Sequence, residues 1–546
     1  MRNFKRLTAL ALLPFLLTGC SQSYELQELP EVGSAVQTGV PQTGVPQAAS
    51  EMRADERECL SASGVLPVLA IETKAQPGSL DFVTEPVAEH VARSIASWTP
   101  GYRMPPAPYY EACTVSLTDT GENVLLAPAD ADVKVRGNWT TSYDKKPLRI
   151  KFAAKQNLLG LSDGAAFKNW VLLAEYKDTS MLRNKTALSI AEEILETDGL
   201  FTSDAALVEV TINGAYWGVY LLAEYQQINP GRIDASRAEK GYTGTDIGYF
   251  LEFDGYYTEE MPDKCFFVDY ADNAPLVPFD GTDGSGRTMC PLNEGRSDAK
   301  QDVGITIKSD IYSQEQHDFI ANFVNNTYRI LYAAAYEDKA YCFDADFASI
   351  SETSELTPRE AIEAVADVQS LADMYIVSEL TCDADIYWSS FFMDVDFGEG
   401  GDRRLRFEAP WDFDSSLGNK DRCADGTGFY AANIIPDVND TYETINPWLA
   451  VLMNEDWFRE IIREKWTAAY DGGVFERAYT AIEQDARQYA SAFERNYERW
   501  DNLRHNEAAN EWTACVRKCR THQETTEYLE EWLRKRVEFL NDYWHA

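Results

Sequence analysis

Asp383-Ala384-Asp385 and, further on, Pro410-Trp411-Asp412-Phe413-Asp414 are two short acidic stretches joined by a hairpin pattern. An apolar, helix-length run leads into the first, and Ser389-Ser390-Phe391-Phe392 follows it. Strands are predicted near 390–396 and 403–409, with a turn at Gly398–Gly401 between them. Two carboxylate loops therefore sit at the ends of one hairpin. Carboxylates converging in this way can hold Mg²⁺ beside a phosphate, and one of them can orient an attacking hydroxyl. The bland alternative is turn chemistry, because Asp also closes loops without catalysing anything. If the second strand ran on through Asp412 and Asp414, their side chains would share a face near solvent.

Upstream the pattern changes from helical to extended. Helices are predicted over 313–337, 356–381 and most of 456–546. Before them, Val65–Ile71, Cys113–Leu117, Asp132–Arg136 and Leu148–Phe152 read as strands. Val208–Ile212 and Trp217–Leu222 flank Asn213-Gly214, the clearest hairpin in the chain. Gly248–Phe253 reads as one more strand, and Met181–Leu195 as an inserted helix that Asp178 or Thr179 could cap. Arg183 falls in its first turn, where the helix dipole disfavours a cation. Strands first and helices later make an α+β, two-lobed chain.

The segment Arg136-Gly137-Asn138-Trp139-Thr140-Thr141, then Lys145-Lys146-Pro147-Leu148-Arg149-Ile150-Lys151, is basic in an otherwise acidic protein. A small polar turn with cations suits an anion. An ordinary hairpin with solvated lysines has the same composition.

The N-terminus carries Arg2, Lys5 and Arg6, an apolar run from Leu7 to Leu17, and Leu17-Thr18-Gly19-Cys20. The run is too short to span a bilayer and fits a signal peptide. The ending predicts a lipoprotein signal over 1–20, with lipid on Cys20 holding the chain to the cell membrane on its extracytoplasmic side. Residues 21–58 are rich in Gln, Pro, Gly and Ser and read as a flexible tether. The globular part follows over 59–470, with a first lobe to about residue 253, an acidic insertion at about 255–303 and a second lobe from about 304. A helical extension occupies 471–546. The 546 residues carry a formal charge of −40, which argues against a nucleic-acid partner. Export permits disulfides, and Cys265 and Cys290 bracket the insertion as a plausible staple. No Cys/His pair completes a zinc set around Cys515 and Cys519.

Taken in order, several segments resemble the spore-coat protein H (CotH) kinase family, secreted proteins with an atypical protein-kinase-like fold. They are Val135-Arg136-Gly137-Asn138 through Phe152, Asn169–Leu173 with Leu182-Arg183-Asn184, and Asn213–Tyr220 with Glu224. The set closes with Asp385, Ser389–Phe392 and Pro410–Asn419. The resemblance implies a bilobal kinase-like fold, ATP with Mg²⁺ or Mn²⁺, and phosphoryl transfer to a protein substrate. By position it implies Lys146 or Lys151 on the ATP phosphates, with Arg136 and Arg183 among the nucleotide-binding residues. Glu224 falls where a kinase hinge meets the nucleotide. Asp385 falls at the catalytic acid, and Asp412, Asp414 and Ser390 at the metal. Ser390 stands where many relatives carry Asn, and the chain has no standard Gly-rich loop or His-Arg-Asp triplet. Two other readings use the same residues: a kinase-fold surface binding lipoprotein with weak or no catalysis, and a sugar-nucleotide enzyme built on Asp412-Phe413-Asp414.

Overall fold

The computed structural model describes residues 65–75, 78–87, 99–119, 123–257, 260–272, 274–282, 303–420, 425–436 and 443–546. Cys20, the tether and Cys290 lie outside the described residues, as do residues 283–302 of the acidic insertion. The chain is α+β. Among the described residues no helix is long and apolar enough to cross a membrane.

The first region is a closed barrel. Its strands are β1 (Val68–Thr73), β2 (Glu111–Thr118), β3 (Val124–Val135), β4 (Leu148–Gln156), β5 (Phe167–Leu173), β6 (Ala205–Ile212) and β7 (Ala215–Glu224). Their order is β1-β2-β3-β4-β5-β7-β6, and β1 closes the ring by pairing parallel with β6. Alternation in the sequence sets the inside: Cys113, Val115 and Leu117 on β2 and Leu148, Ile150 and Phe152 on β4 are buried in one core with Trp170 and Tyr220. Asn213 and Gly214 both take positive φ, 50° and 73°. That is the turn whose twist matches a two-residue hairpin, and it joins β6 to β7 as the sequence predicts.

Helix α1 (Arg183–Leu195) interrupts the barrel's chain order between β5 and β6. It starts two residues later than the apolar pattern predicts. Met181 has φ 56°, which no helix accepts, and the Asp178 carboxylate takes the Leu182 and Arg183 amides at 3.0 and 2.8 Å. Asp178 therefore satisfies the helix start, as expected of one of the two candidates, from a position outside the usual cap.

The second region is built on a five-stranded sheet of β8 (Gly248–Asp254), β9 (Cys265–Phe266), β10 (Gly304–Ile307), β13 (Phe391–Asp396) and β14 (Arg406–Phe407), in the order β14-β13-β8-β10-β9. A small hairpin, β11 (Tyr341–Phe343) with β12 (Ile350–Glu352), stands apart. β8 follows the barrel strands in sequence, yet it hydrogen-bonds to β13 and β10. Around this sheet pack α2 (Gln314–Glu337), α3 (Val368–Thr381) and α4 (Asp456–Asp471) in a core shared with α1. The single helix expected over 356–381 is two, because Asp367 turns its carboxylate onto the Gln369 and Ser370 amides and starts α3 afresh.

The C-terminal residues form α5 (Val474–Gln488), α6 (Ala490–Trp500) and α7 (His522–Trp544). Cys515 and Cys519, expected on a helix, flank a single 3₁₀ turn between α6 and α7. α6 lies against β7 of the barrel: Trp500 donates to the Trp217 carbonyl at 2.6 Å, and Asn496 accepts the Val219 amide at 3.1 Å. Gly218 makes this approach possible. It has φ 121°, and a Cβ there would sit 2.6 Å from Asn496 Oδ1 and 2.9 Å from Trp500 Nε1.

Candidate functional site

The two acidic loops meet the segment between β5 and α1. α3 ends at Cys382, in left-handed backbone with φ 48°, and the chain turns sharply into Asp383 and Asp385. The Asp385 carbonyl accepts the Trp388 and Ser389 amides at 2.8 and 2.9 Å, while its amide donates to Asp383 Oδ1 at 3.0 Å. Ser390 has φ 59°, and Glu252 of β8 takes its amide at 3.0 Å, fixing where β13 begins. Asp412 is also left-handed, with φ 71°, and a 3₁₀ turn over Phe413–Ser415 follows it. The strand expected to carry Asp412 and Asp414 on one solvent-facing side therefore stops before them. Both carboxylates instead line a narrow cleft beneath the barrel, with Arg136, Glu175, Lys177 and Asn184.

Local hydrogen bonds explain why the turn stays where it is. Asn184, in the first turn of α1, accepts the Phe413 amide at 2.8 Å and donates to both Glu175 oxygens at 3.0 and 3.2 Å. Asn419 donates to the Asp414 carbonyl at 2.7 Å and to the Lys177 carbonyl at 3.3 Å. Arg183 forms a buried ion pair with Asp178, and its Nε reaches the Leu417 carbonyl at 3.3 Å. That pair offsets the unfavourable position of a cation at a helix N-terminus. Arg183 thus ties α1 to the acidic turn.

The carboxylates act on one another. Burial holds Asp412 well above the usual carboxylate range; Asp414 and Asp385 add to this, while Arg136 and Lys177 oppose it. Asp414 is pushed up to about 6, again chiefly by burial, with Lys177 opposing and Asp385 adding. Asp383 is raised by burial and by Asp385, Asp412 and Asp414. Burial would lower Lys177, but Glu511, Asp414 and Asp385 outweigh it and hold the ammonium strongly protonated. Asp412 Oδ2 is buried without a hydrogen-bond partner. A buried acceptor left open beside two other carboxylates is suited to a cation. Among the described residues no three acidic, His or Cys side chains converge as a complete cage. Mg²⁺ takes one or two carboxylates and completes its shell with water and phosphate oxygens.

The residues singled out from sequence fall into two groups. Arg136 lines the cleft with its guanidinium over the Trp411 ring, 5.6 Å from the centroid, and Asp412 and Asp414 lie beside it. Asp385 bears electrostatically on both. Lys146 points elsewhere: its Nζ donates to the Thr141 and Tyr143 carbonyls at 2.8 and 2.6 Å, closing its own turn. Lys151 is exposed on β4, opposite Asp132 and Asn169. Glu224 pairs with Arg232 at 2.9 Å, outside the cleft lining. Lys177, Glu175 and Asn184 are the cleft residues that sequence reasoning gave no role, although Asn184 lies in a matched motif. Charged residues placed between a buried strand and a capped helix are the available signal for the other two.

Between the barrel and the helix-rich region, carboxylates and cations thus face one another across one cleft. The family described as CotH kinase protein matches residues 133–540, and the chain belongs to that family. No curated protein matches the chain.

Proposed function

We propose that the chain is a membrane-anchored, extracytoplasmic CotH-like protein kinase with a bilobal kinase-like fold. It would transfer the γ-phosphoryl group of ATP to a protein hydroxyl, with Mg²⁺ or Mn²⁺. The observation that carries this reading is the juxtaposition of Asp412 and Asp414 with Arg136 and Lys177, around the open Asp412 Oδ2. Asp412 and Asp414 would hold the cation, whose charge relieves their mutual repulsion. Arg136 and Lys177 would neutralise phosphate oxygens, the main demand of phosphoryl transfer. Asp385 would accept or orient the proton of the acceptor hydroxyl. Ser390, its amide held by Glu252 at the head of β13, would be a further, weak oxygen ligand.

The cleft has room for about 20 Å³, on the order of one water. Nucleotide entry therefore needs the barrel and the helical region to part. The same tightness, with Lys146 engaged by its own turn, favours the second reading, a kinase-fold surface lipoprotein with weak or no catalysis. Calorimetry separates the two. ATP should bind appreciably only with Mg²⁺ or Mn²⁺, and the double change Asp412→Asn, Asp414→Asn should abolish that coupling. Equal ATP binding in chelator, or full metal dependence in the double variant, would reject the metal assignment.

The membrane anchor is supported by Leu17-Thr18-Gly19-Cys20 after an apolar run. Cys20→Ala should move the protein from the detergent-extracted membrane fraction to the soluble one. Unchanged membrane association would place the anchor elsewhere.

A further inference from the structure

The segment that carries Lys177 is held almost carbonyl by carbonyl by the C-terminal part of the chain. Asn502 and Asn506 donate to the Tyr176 carbonyl at 3.1 and 2.6 Å. Trp512 donates to the Lys177 carbonyl at 3.0 Å. Tyr497 and Thr525 donate to the Thr179 carbonyl at 2.5 and 3.3 Å, and His522 meets the Ser180 carbonyl at 2.9 Å. A loop with four of its carbonyls engaged in this way cannot wander.

The same C-terminal stretch also grips the other wall of the cleft. The Thr513 amide donates to the Asn419 carbonyl at 2.9 Å, and Lys420 bridges to Trp512. Residues 511–513 thus lie between the Lys177 loop and the chain just after Asp414. At that point stands one buried carboxylate. Glu511 Oε2 is 3.1 Å from Lys177 Nζ and 3.6 Å from Lys420 Nζ. Two ammoniums thus meet one carboxylate oxygen, and the contact is chiefly one of charge. Burial works against ionisation of Glu511, yet the two ammoniums outweigh it and hold the group below its ordinary range.

We propose that Glu511 is a positioning residue of the cleft: it holds the Lys177 ammonium facing Asp414 and Asp412, ready for a phosphate. This rests on the phosphoryl-transfer reading above. Without Glu511, Lys177 keeps its carbonyl clamps but loses the partner that fixes its far end. Free rotamers of a lysine are costly to order at the moment of binding, so a pre-set ammonium favours the bound state. The C-terminal segment, remote in sequence from the acidic loops, then belongs to the site itself.

The test compares the native chain with Glu511→Gln, which keeps size and polarity, and Glu511→Asp. Each is treated with an amine-acylating reagent, and labelling of Lys177 is followed by peptide mass spectrometry, with exposed Lys74 as internal reference. An ammonium held in an ion pair reacts slowly, so Lys177 should label several-fold faster in Glu511→Gln, and Glu511→Asp should recover part of the protection. Mg-ATP should slow Lys177 labelling in the native chain and do so at higher concentration in Glu511→Gln, with unfolding temperatures matched. Equal Lys177 rates in all three proteins overturn the role of Glu511. Faster labelling in Glu511→Gln with no protection by Mg-ATP in any of them leaves the Lys177–Glu511 coupling standing and overturns the phosphate reading of the cleft.

Discussion

Two lysine-bearing segments flank the cleft, and they use their charges in opposite ways. In the turn over residues 136–147, Lys145 and Lys146 are buried and spend their donors on the protein. Lys145 bonds the Val219 carbonyl and, at 2.9 Å, Asn496 Oδ1, over the Tyr220 ring; Lys146 bonds two carbonyls of its own turn. Burial lowers Lys145 to about 7, with Glu175 opposing. In the segment over residues 174–184, backbone carbonyls are satisfied by other side chains, and Lys177 is left to meet carboxylates. A lysine next to carbonyls is a strut, while a lysine facing carboxylates in a cleft can exchange one anion for another. Density of charge along the sequence does not distinguish them; the identity of the partner does.

The clamp on the second segment is the place to break this contrast most severely. His522 stacks on Phe493 with centroids 4.0 Å apart and meets the Ser180 carbonyl. Burial lowers its pKa from 6.5 to about 4. The unfolded chain therefore takes up this proton more readily than the folded one. The contribution of His522 to stability is full above pH 6.5 and falls as the pH drops from 6.5 to 4. A shift of this size is worth up to about 3 kcal/mol. His522→Gln retains a donor for Ser180 without titrating. Denaturant midpoints across that pH range should flatten in the variant; an unchanged pH slope would remove His522 from the acid response.

The contrast between the lysines themselves gives a smaller, sharper effect. Lys146→Met should destabilise the fold by about 1–3 kcal/mol, since two carbonyls lose their donor, and leave Mg-ATP affinity unaltered. Lys177→Met should weaken Mg-ATP by roughly tenfold or more, the worth of one charge-assisted contact. Paired unfolding and calorimetry would show it. If Lys146→Met weakened the nucleotide and Lys177→Met did not, the assignment of the two segments would be reversed.

Much of the local structure was readable from the sequence. Asn213-Gly214 between alternating strands leaves few options other than a tight hairpin, and the apolar period over residues 181–195 demands a helix. The two Asp loops at the ends of the β13–β14 hairpin were also legible, because the hairpin itself brings them near each other. What escaped were arrangements fixed by distant pairing. β8 reads as one more strand of the first lobe, yet it joins β13, and no local signal records that choice. The left-handed backbone at Asp412 breaks the strand and turns both carboxylates inward, where alternation predicted a shared outer face. Glu511 belongs to the cleft through a contact with Lys177 that spans most of the chain. Its own surroundings, just after the 3₁₀ turn Glu507–Asn510 in the long connection between α6 and α7, look like any connection.

Asp385 is the residue on which the proposed phosphoryl transfer depends most directly. The direct measurement is incorporation of label from γ-labelled ATP into a protein acceptor, by the native chain and by Asp385→Asn, with Mg²⁺ or Mn²⁺. The account predicts incorporation by the native chain and a loss of about 10²–10⁴-fold in the variant, the range typical of a missing acid–base group, at unchanged stability. Equal incorporation by both proteins would contradict it.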